Sequence, residues 1–473
     1  MCFIIKNGVL EKYNEEPGVT DISIPDSVRI IEHDVFANCS SLTSVTISGS
    51  VKHIGAGAFF GCSSLASVTI SDSVTRIENY AFCECSSLTS ITIPGSVKHI
   101  GACAFANCRS LISATISDGV KSIGAAAFYG CSSLTSVTIP DSVTSIGYEA
   151  FRGCEGLADD KGFVIIRNVL YSYHGKGDAV TIPNSVTSIG VKAFESCTSL
   201  TAVTIPGSVK HIGACAFANC RSLISATISD GVKSIGAAVF YGCSSLTSVT
   251  IPDSVTSIGH GAFYGCKGLA DNKGFVIFRN VLYSYHGNDS EVNIPDSVTS
   301  IGGKAFESCT SLTAVTIPAS VTIIGDCAFA SCSSLTSVTI PDSVTSIGHG
   351  AFYKCSSLTS VTIPDSVTSI GDGAFCGCNG LADDKGFVII RSVLYCYHGN
   401  DSEITIPDKV TRIGDSAFLG CIRPISVIIP NSVTSIAESA FMWCGCLASV
   451  TIPTSLRSIV EEVFPLAMKI TYT

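Results

Sequence analysis

The side chains best suited to ligate a metal, form a disulfide or attack a substrate are 24 cysteines and nine histidines. Sixteen of the cysteines sit in a recurring Phe-x-x-Cys motif, running from Phe36/Cys39 to Phe441/Cys444. A disulfide needs Cβ atoms about 3.5–4.5 Å apart, whereas side chains on neighbouring parallel strands stand about 4.8 Å apart. Zinc needs converging ligand pairs, but Cys83/Cys85, Cys376/Cys378 and Cys444/Cys446 are isolated Cys-x-Cys pairs without a second pair at finger spacing. The motif cysteines therefore read as small buried hydrophobes, and no metal or other cofactor is expected. His53, His99, His211, His260 and His349 read as solvated variants of a repeat. His174, His286 and His398 each close a Tyr-x-Tyr-His-Gly run with Tyr171/Tyr173, Tyr283/Tyr285 and Tyr395/Tyr397. These three runs read either as exposed turns or as tips whose aromatic side chains anchor a partner. No Gly-x-Ser-x-Gly elbow, phosphate loop or His-Glu-x-x-His occurs, and no carboxylate pair stands out. The chain is not expected to be an enzyme.

The most systematic polar feature is a set of alternating hydroxyls. Ser136/Thr138, Ser248/Thr250, Ser337/Thr339 and Ser360/Thr362 occupy equivalent positions. They supply either solubility with good strand propensity or a broad, weakly polar surface for a protein or glycan. The mixture of Ser and Thr argues against an ice-binding array. Asn38, Asn288 and Asn400 open Asn-x-Ser sequons, which matter only in a glycosylating pathway.

What must position these residues is a repeat. Of the 16 intervals between the 17 register phenylalanines from Phe36 to Phe464, 13 are 23 residues and three are 43. In the unit from Cys131 to Gly153, Leu134, Val137 and Ile139 form a short strand with one buried side, so Ser136 and Thr138 face solvent. Pro140-Asp141 ends that strand. Val143 and Ile146 make a second apolar stretch, Gly147 suits a positive-φ turn, and Ala150, Phe151 and Cys154 close the unit through a helical turn. A unit this short encloses no core alone; stacked units do.

Each 43-residue interval inserts a hairpin near 158–178, 270–290 and 382–402. In the first, Phe163–Ile166 and Val169–Tyr173 flank Arg167-Asn168. Residues 1–24, with Asn7-Gly8 at the turn, read as a related hairpin capping a continuous solenoid over 25–473. The inserts recur every 112 residues, and residues 98–147 and 210–259 differ only at Ala127 versus Val239. Such duplication favours a multivalent surface over a single reaction centre. After Phe464 the run PLAMKITYT stops inside the next strand, so that edge is expected to be shielded by the last turn, continued by missing chain, or paired with another copy.

The recurring L-x-x-V-x-I-P-x-x-V-x-x-I-G-x-x-A-F-x-x-C pattern resembles the BspA-like leucine-rich repeats of the LRR 5 class. The resemblance implies an α/β repeat solenoid, a curved rod with a parallel β-sheet on its concave face, short strands and helical turns on its convex side, and inserted β-hairpins. It also implies a non-enzymatic, adhesin-like protein engaging protein or glycan partners, including host or matrix proteins, through the Ser/Thr face and hairpin tips. The alternative is an intracellular protein–protein interaction scaffold.

Composition sets the remaining limits. Apolar residues make up 46% of the chain and charged residues only 14%, which excludes disorder. With 28 Lys and Arg against 38 Asp and Glu, nucleic acid and anionic membranes are poor partners. The apolar runs are too short for membrane insertion as a helix. The family resemblance points to the cell surface or secretion. Residues 1–20 show no secretory signal, which leaves the cytoplasm, export by another route, or a missing native N-terminal segment as the alternatives.

Overall fold

The structure is a computed structural model that describes residues 2–15, 18–419, 425–464 and 468–473. It divides into two compact units, Met1–Gly259 and His260–Thr473. Each unit is a parallel β-solenoid with almost no helix.

In the first unit the hairpin Cys2–Lys6/Val9–Asn14 opens one sheet. Two-residue strands then add in parallel, one per repeat, as far as Ser145–Ile146. The register step equals the repeat, with His99 opposite Ser122 and Ile100 opposite Ile123. The Val-x-Ile strands form a second row, in which Ser113, Ala114 and Thr115 face Ser136, Val137 and Thr138. A third set of backbone hydrogen bonds links the Ala-Phe arms: Phe59 N–H donates to Ala81 O at 2.8 Å and Phe82 N–H to Ala104 O at 2.7 Å.

These arms are chains of tight turns and not the expected helical turns. Those of the first unit each carry two left-handed residues four positions apart, such as Tyr80 (φ 60°) with Glu84 (φ 62°), and a helix cannot propagate through them. Short helical pieces occur elsewhere, as single 3-10 turns at Glu155–Leu157, Lys267–Leu269 and Asn379–Leu381, and at Thr454–Ile459 with Val460–Val463. Gly147 is likewise not in the positive-φ region; Glu149 is, at 56°. Gly147 is small because a Cβ there would lie 2.4 Å from Ala125 N on the rung below.

The core is built of columns. Phe36, Phe59, Phe82, Phe105, Phe128 and Phe151 are fully buried and stack with centroids 4.7–5.4 Å apart and planes within 10°. Beside them runs the cysteine column. Most of its thiols donate to the phenylalanine carbonyl 26 residues earlier, as in Cys62 Sγ to Phe36 O at 3.0 Å and Cys108 Sγ to Phe82 O at 3.2 Å. Cys62 and Cys108 form no disulfide, and burial pushes the Cys62 thiol up to about 12, so it remains a protonated donor. The sequence-level Cys421 and Ala467 positions lie outside the described residues.

The hairpins replace rungs. Phe163–Ile166/Val169–Tyr173 starts a new sheet, its second strand pairing in parallel with Ser188–Ile189. Arg167 and Asn168 sit at φ 49° and 63°, the paired left-handed geometry of a tight two-residue hairpin turn. The Arg167 guanidinium donates to Val143 O, and to Pro140 O at 2.6 Å, tying the tip to the preceding repeat.

The second unit repeats this plan. Hairpins Phe275–Phe278/Val281–Tyr285 and Phe387–Ile390/Val393–Tyr397 each begin a sheet, and Lys469–Tyr472 pairs in parallel with Ser449–Ile452. Phe306, Phe329, Phe352 and Phe375 stack at 4.9–5.4 Å.

Candidate functional site

Alternation along the Val-x-Ile strands decides which side chains reach solvent. Val338 is buried between exposed Ser337 and Thr339, and Val137, Val249 and Val361 are half-buried between exposed Ser136/Thr138, Ser248/Thr250 and Ser360/Thr362. Register aligns these hydroxyls across rungs: Ser225 with Ser248, Thr227 with Thr250, Ser337 with Ser360 and Thr339 with Thr362. The threonine that opens each strand is occupied, as Thr135 Oγ1 donates to Ile112 O at 3.3 Å and Thr359 Oγ1 to Thr336 O at 3.2 Å. The eight hydroxyls beyond it make no intramolecular hydrogen bond among the described residues, so their donors and acceptors face outward. The result is rows of outward-facing hydroxyls repeated from rung to rung.

The Tyr-His runs are placed differently from the expectation of exposed aromatic tips. Tyr171, Tyr173, Tyr283, Tyr285, Tyr395 and Tyr397 are all at most 7% exposed. The reason is that the hairpin lies within the stack. Tyr171 meets the Phe151 ring edge-on at 5.6 Å, and Tyr173 stacks on Phe194 at 4.9 Å, so the tyrosines carry the aromatic column across the insert. Tyr283/Tyr285 and Tyr395/Tyr397 do the same between Phe263 and Phe306 and between Phe375 and Phe418.

The histidines are half-buried. His174 Nε2 lies 2.9 Å from Ser172 Oγ and His286 Nε2 3.1 Å from Ser284 Oγ. Burial lowers the His174 pKa, opposed by Glu155; burial and Lys267 both lower that of His286. Around the first of these histidines run two open grooves of about 720 and 580 Å³, sharing Glu155, Tyr173 and His174. The second groove is lined by Arg152, Lys192 and Glu195, with Arg152 Nη2 2.6 Å from Glu195 Oε2. Among the described residues no group of three His, Cys, Asp or Glu side chains is placed to hold a metal ion. No helix among them is long and apolar enough to cross a membrane.

Sequence reasoning missed one contact, Cys376 Sγ to Cys396 Sγ at 3.6 Å. Aligning the three 112-residue copies would have found it. Those two positions are Arg152/Ser172 and Tyr264/Ser284 in the first two copies and both become cysteine in the third.

Comparison with known proteins follows the repeat. The family profile described as the BspA type leucine rich repeat region matches residues 11–133, 98–159, 164–273, 276–383 and 388–472. Among solved structures, a leucine-rich repeat protein of Bacteroides ovatus is 20% identical, covering 100% of this chain and 97% of its own, with TM-score 0.33. The pneumococcal vaccine antigen PcpA is 17% identical over 78% of this chain and 95% of its own, with TM-score 0.43. A leucine rich cell surface protein of Faecalibacterium prausnitzii is 29% identical over 95% of this chain and 92% of its own, with TM-score 0.29. A search of curated proteins gave no match.

Proposed function

Because this chain belongs to the BspA-type leucine-rich repeat family, we propose that it is a non-enzymatic, adhesin-like binding protein that engages a protein or glycan through its Ser/Thr rows. The observation that carries this reading is the set of exposed hydroxyls at Ser136/Thr138, Ser248/Thr250, Ser337/Thr339 and Ser360/Thr362, repeated in register and without intramolecular partners. Repetition supports avidity: several weak equivalent contacts to one extended ligand multiply their effect without any single strong site. The half-buried His174, His286 and His398 serve as secondary contact points in this reading. The buried tyrosines beside them contribute by fixing the hairpins.

The test is binding of the full chain to immobilised extracellular-matrix proteins and to a glycan panel. The variant introduces lysine at Ser136, Thr138, Ser360 and Thr362, all exposed positions. Deleting hairpins is not a clean test, since it removes core tyrosines. Loss of at least tenfold in apparent affinity with unchanged circular dichroism is expected. Undiminished binding by the lysine variant would sink the role of these rows.

A further inference from the structure

The third hairpin differs from the other two in chemistry. Cys376 lies in the turn arm between Phe375 and Cys378, and Cys396 lies on the strand Val393–Tyr397, opposite Val388. Their sulfurs are 3.6 Å apart, a gap that side-chain rotation must reduce to about 2.05 Å for a covalent bond. The first two copies carry an arginine and a tyrosine at the arm position and a serine at the strand position. Thus the two contacting positions change to cysteine together, in one copy. The ladder thiols Cys355 and Cys378 are 0% exposed, whereas Cys376 and Cys396 each retain 7%. His398 completes the cluster. Its Nε2, the counterpart of the atom that meets a serine hydroxyl in the other copies, is enclosed, and the ring lies beside Cys396.

We propose that Cys376 and Cys396 are a reversible redox pair that closes into a disulfide in response to a peroxide, stapling the third hairpin to the preceding turn arm. Cys396 is the attacking sulfur. The hydrogen bond from the Cys376 thiol, with His398 alongside, holds Cys396 below the usual thiol range, while the same hydrogen bond and burial push Cys376 up. The Cys396 thiolate attacks one peroxide oxygen. The O–O bond breaks, and the leaving hydroxide takes up the proton Cys396 gave up, leaving as water. The sulfenic acid so formed is attacked by Cys376 sulfur; the S–S bond forms, the S–O bond breaks, and a second water leaves with the Cys376 proton. Two thiols lose two electrons, and the peroxide is reduced to two waters.

The experiment treats the full chain with hydrogen peroxide, blocks remaining thiols by alkylation and maps peptides without reduction. Expected is a linked pair of peptides carrying Cys376 and Cys396, short of two hydrogen atoms and separated by dithiothreitol. The link persists in Cys378→Ser, disappears in Cys376→Ser and in Cys396→Ser, and forms more slowly in His398→Gln. Alkylation of both sulfurs in treated wild-type chain, or linkage of Cys396 to any other cysteine, would overturn the assignment. The wild-type map carries the test if a variant misfolds.

Discussion

Phe82→Ala tests the idea that stability here is passed from rung to rung. Phe82 is fully buried, with Phe59 at 5.1 Å on one side and Phe105 at 5.3 Å on the other, planes within 5°. Truncating a buried Phe costs about 3–5 kcal/mol, of which each ring pair supplies about 0.5–1.5 kcal/mol. A loss of about 4 kcal/mol is expected, since neither neighbour can collapse without breaking its own stack. Phe464 gives the contrast: its ring contact is with Phe441, at 4.9 Å and tilted 38°. There the loss is at the low end, about 3 kcal/mol, because the cavity relaxes more easily. Hydrogen exchange reads the effect locally. In Phe82→Ala the amides of Phe59 and Phe82, which donate to Ala81 O and Ala104 O, exchange about a thousandfold faster, at about 1.4 kcal/mol per decade. The Phe352 amide, bonded to Ala374 O in the second unit, is unchanged. An acceleration below tenfold at Phe59 and Phe82, or an equal one at Phe352, would refute nearest-neighbour coupling.

Gly162→Ala destabilises the first hairpin by about 2 kcal/mol or more in urea unfolding, because φ is +88° and the new Cβ would lie 2.2 Å from Gly175 N. Arg167→Ala removes charged donors to Val143 O and Pro140 O, costing about 1–2 kcal/mol; exchange accelerates in 163–173 and not in the Phe36–Phe105 column. Stability also falls with acid. His174 and His286 have lowered folded-state pKa values, so between folded and unfolded values the unfolded chain binds more protons. Their contribution is complete above the ordinary value of 6.5 and declines as pH drops through the window below it; His174→Gln flattens that slope in urea midpoints.

Much of the architecture was legible in the sequence because the repeat is rigid in length. Leu134, Val137 and Phe151 recur at fixed offsets, and a fixed offset in parallel register puts like above like. The hairpins were legible from Arg167-Asn168 and its relatives. The turn arms were not, because Ala-Phe-x-x-Cys spacing suits a helical turn, and the left-handed positions fall on residues as varied as Tyr80, Cys103 and Lys192. The Gly147 position misled for a related reason: glycine serves turns and close approaches alike, and only the neighbouring rung tells them apart. The tyrosines misled because Tyr-x-Tyr before a glycine looks like a loop tip, while a strand packed between rungs buries both faces, including Ser172 and Ser284. The Ser/Thr rows followed directly from alternation. The thiol-to-carbonyl bonds of the cysteine column escaped notice, since sequence marks a cysteine as apolar without saying which oxygen it meets.

The internal hairpins begin sheets in the same way as the one at residues 2–14, with an antiparallel pair whose second strand accepts the next parallel strand. A 112-residue block therefore carries its own starting surface. Unequal crossing-over between the regions that encode such near-identical stretches would add or delete whole blocks without leaving a mismatched junction. The lineage can thus lengthen or shorten its reach in quantised steps, and isolates differing by multiples of that block are the expected trace.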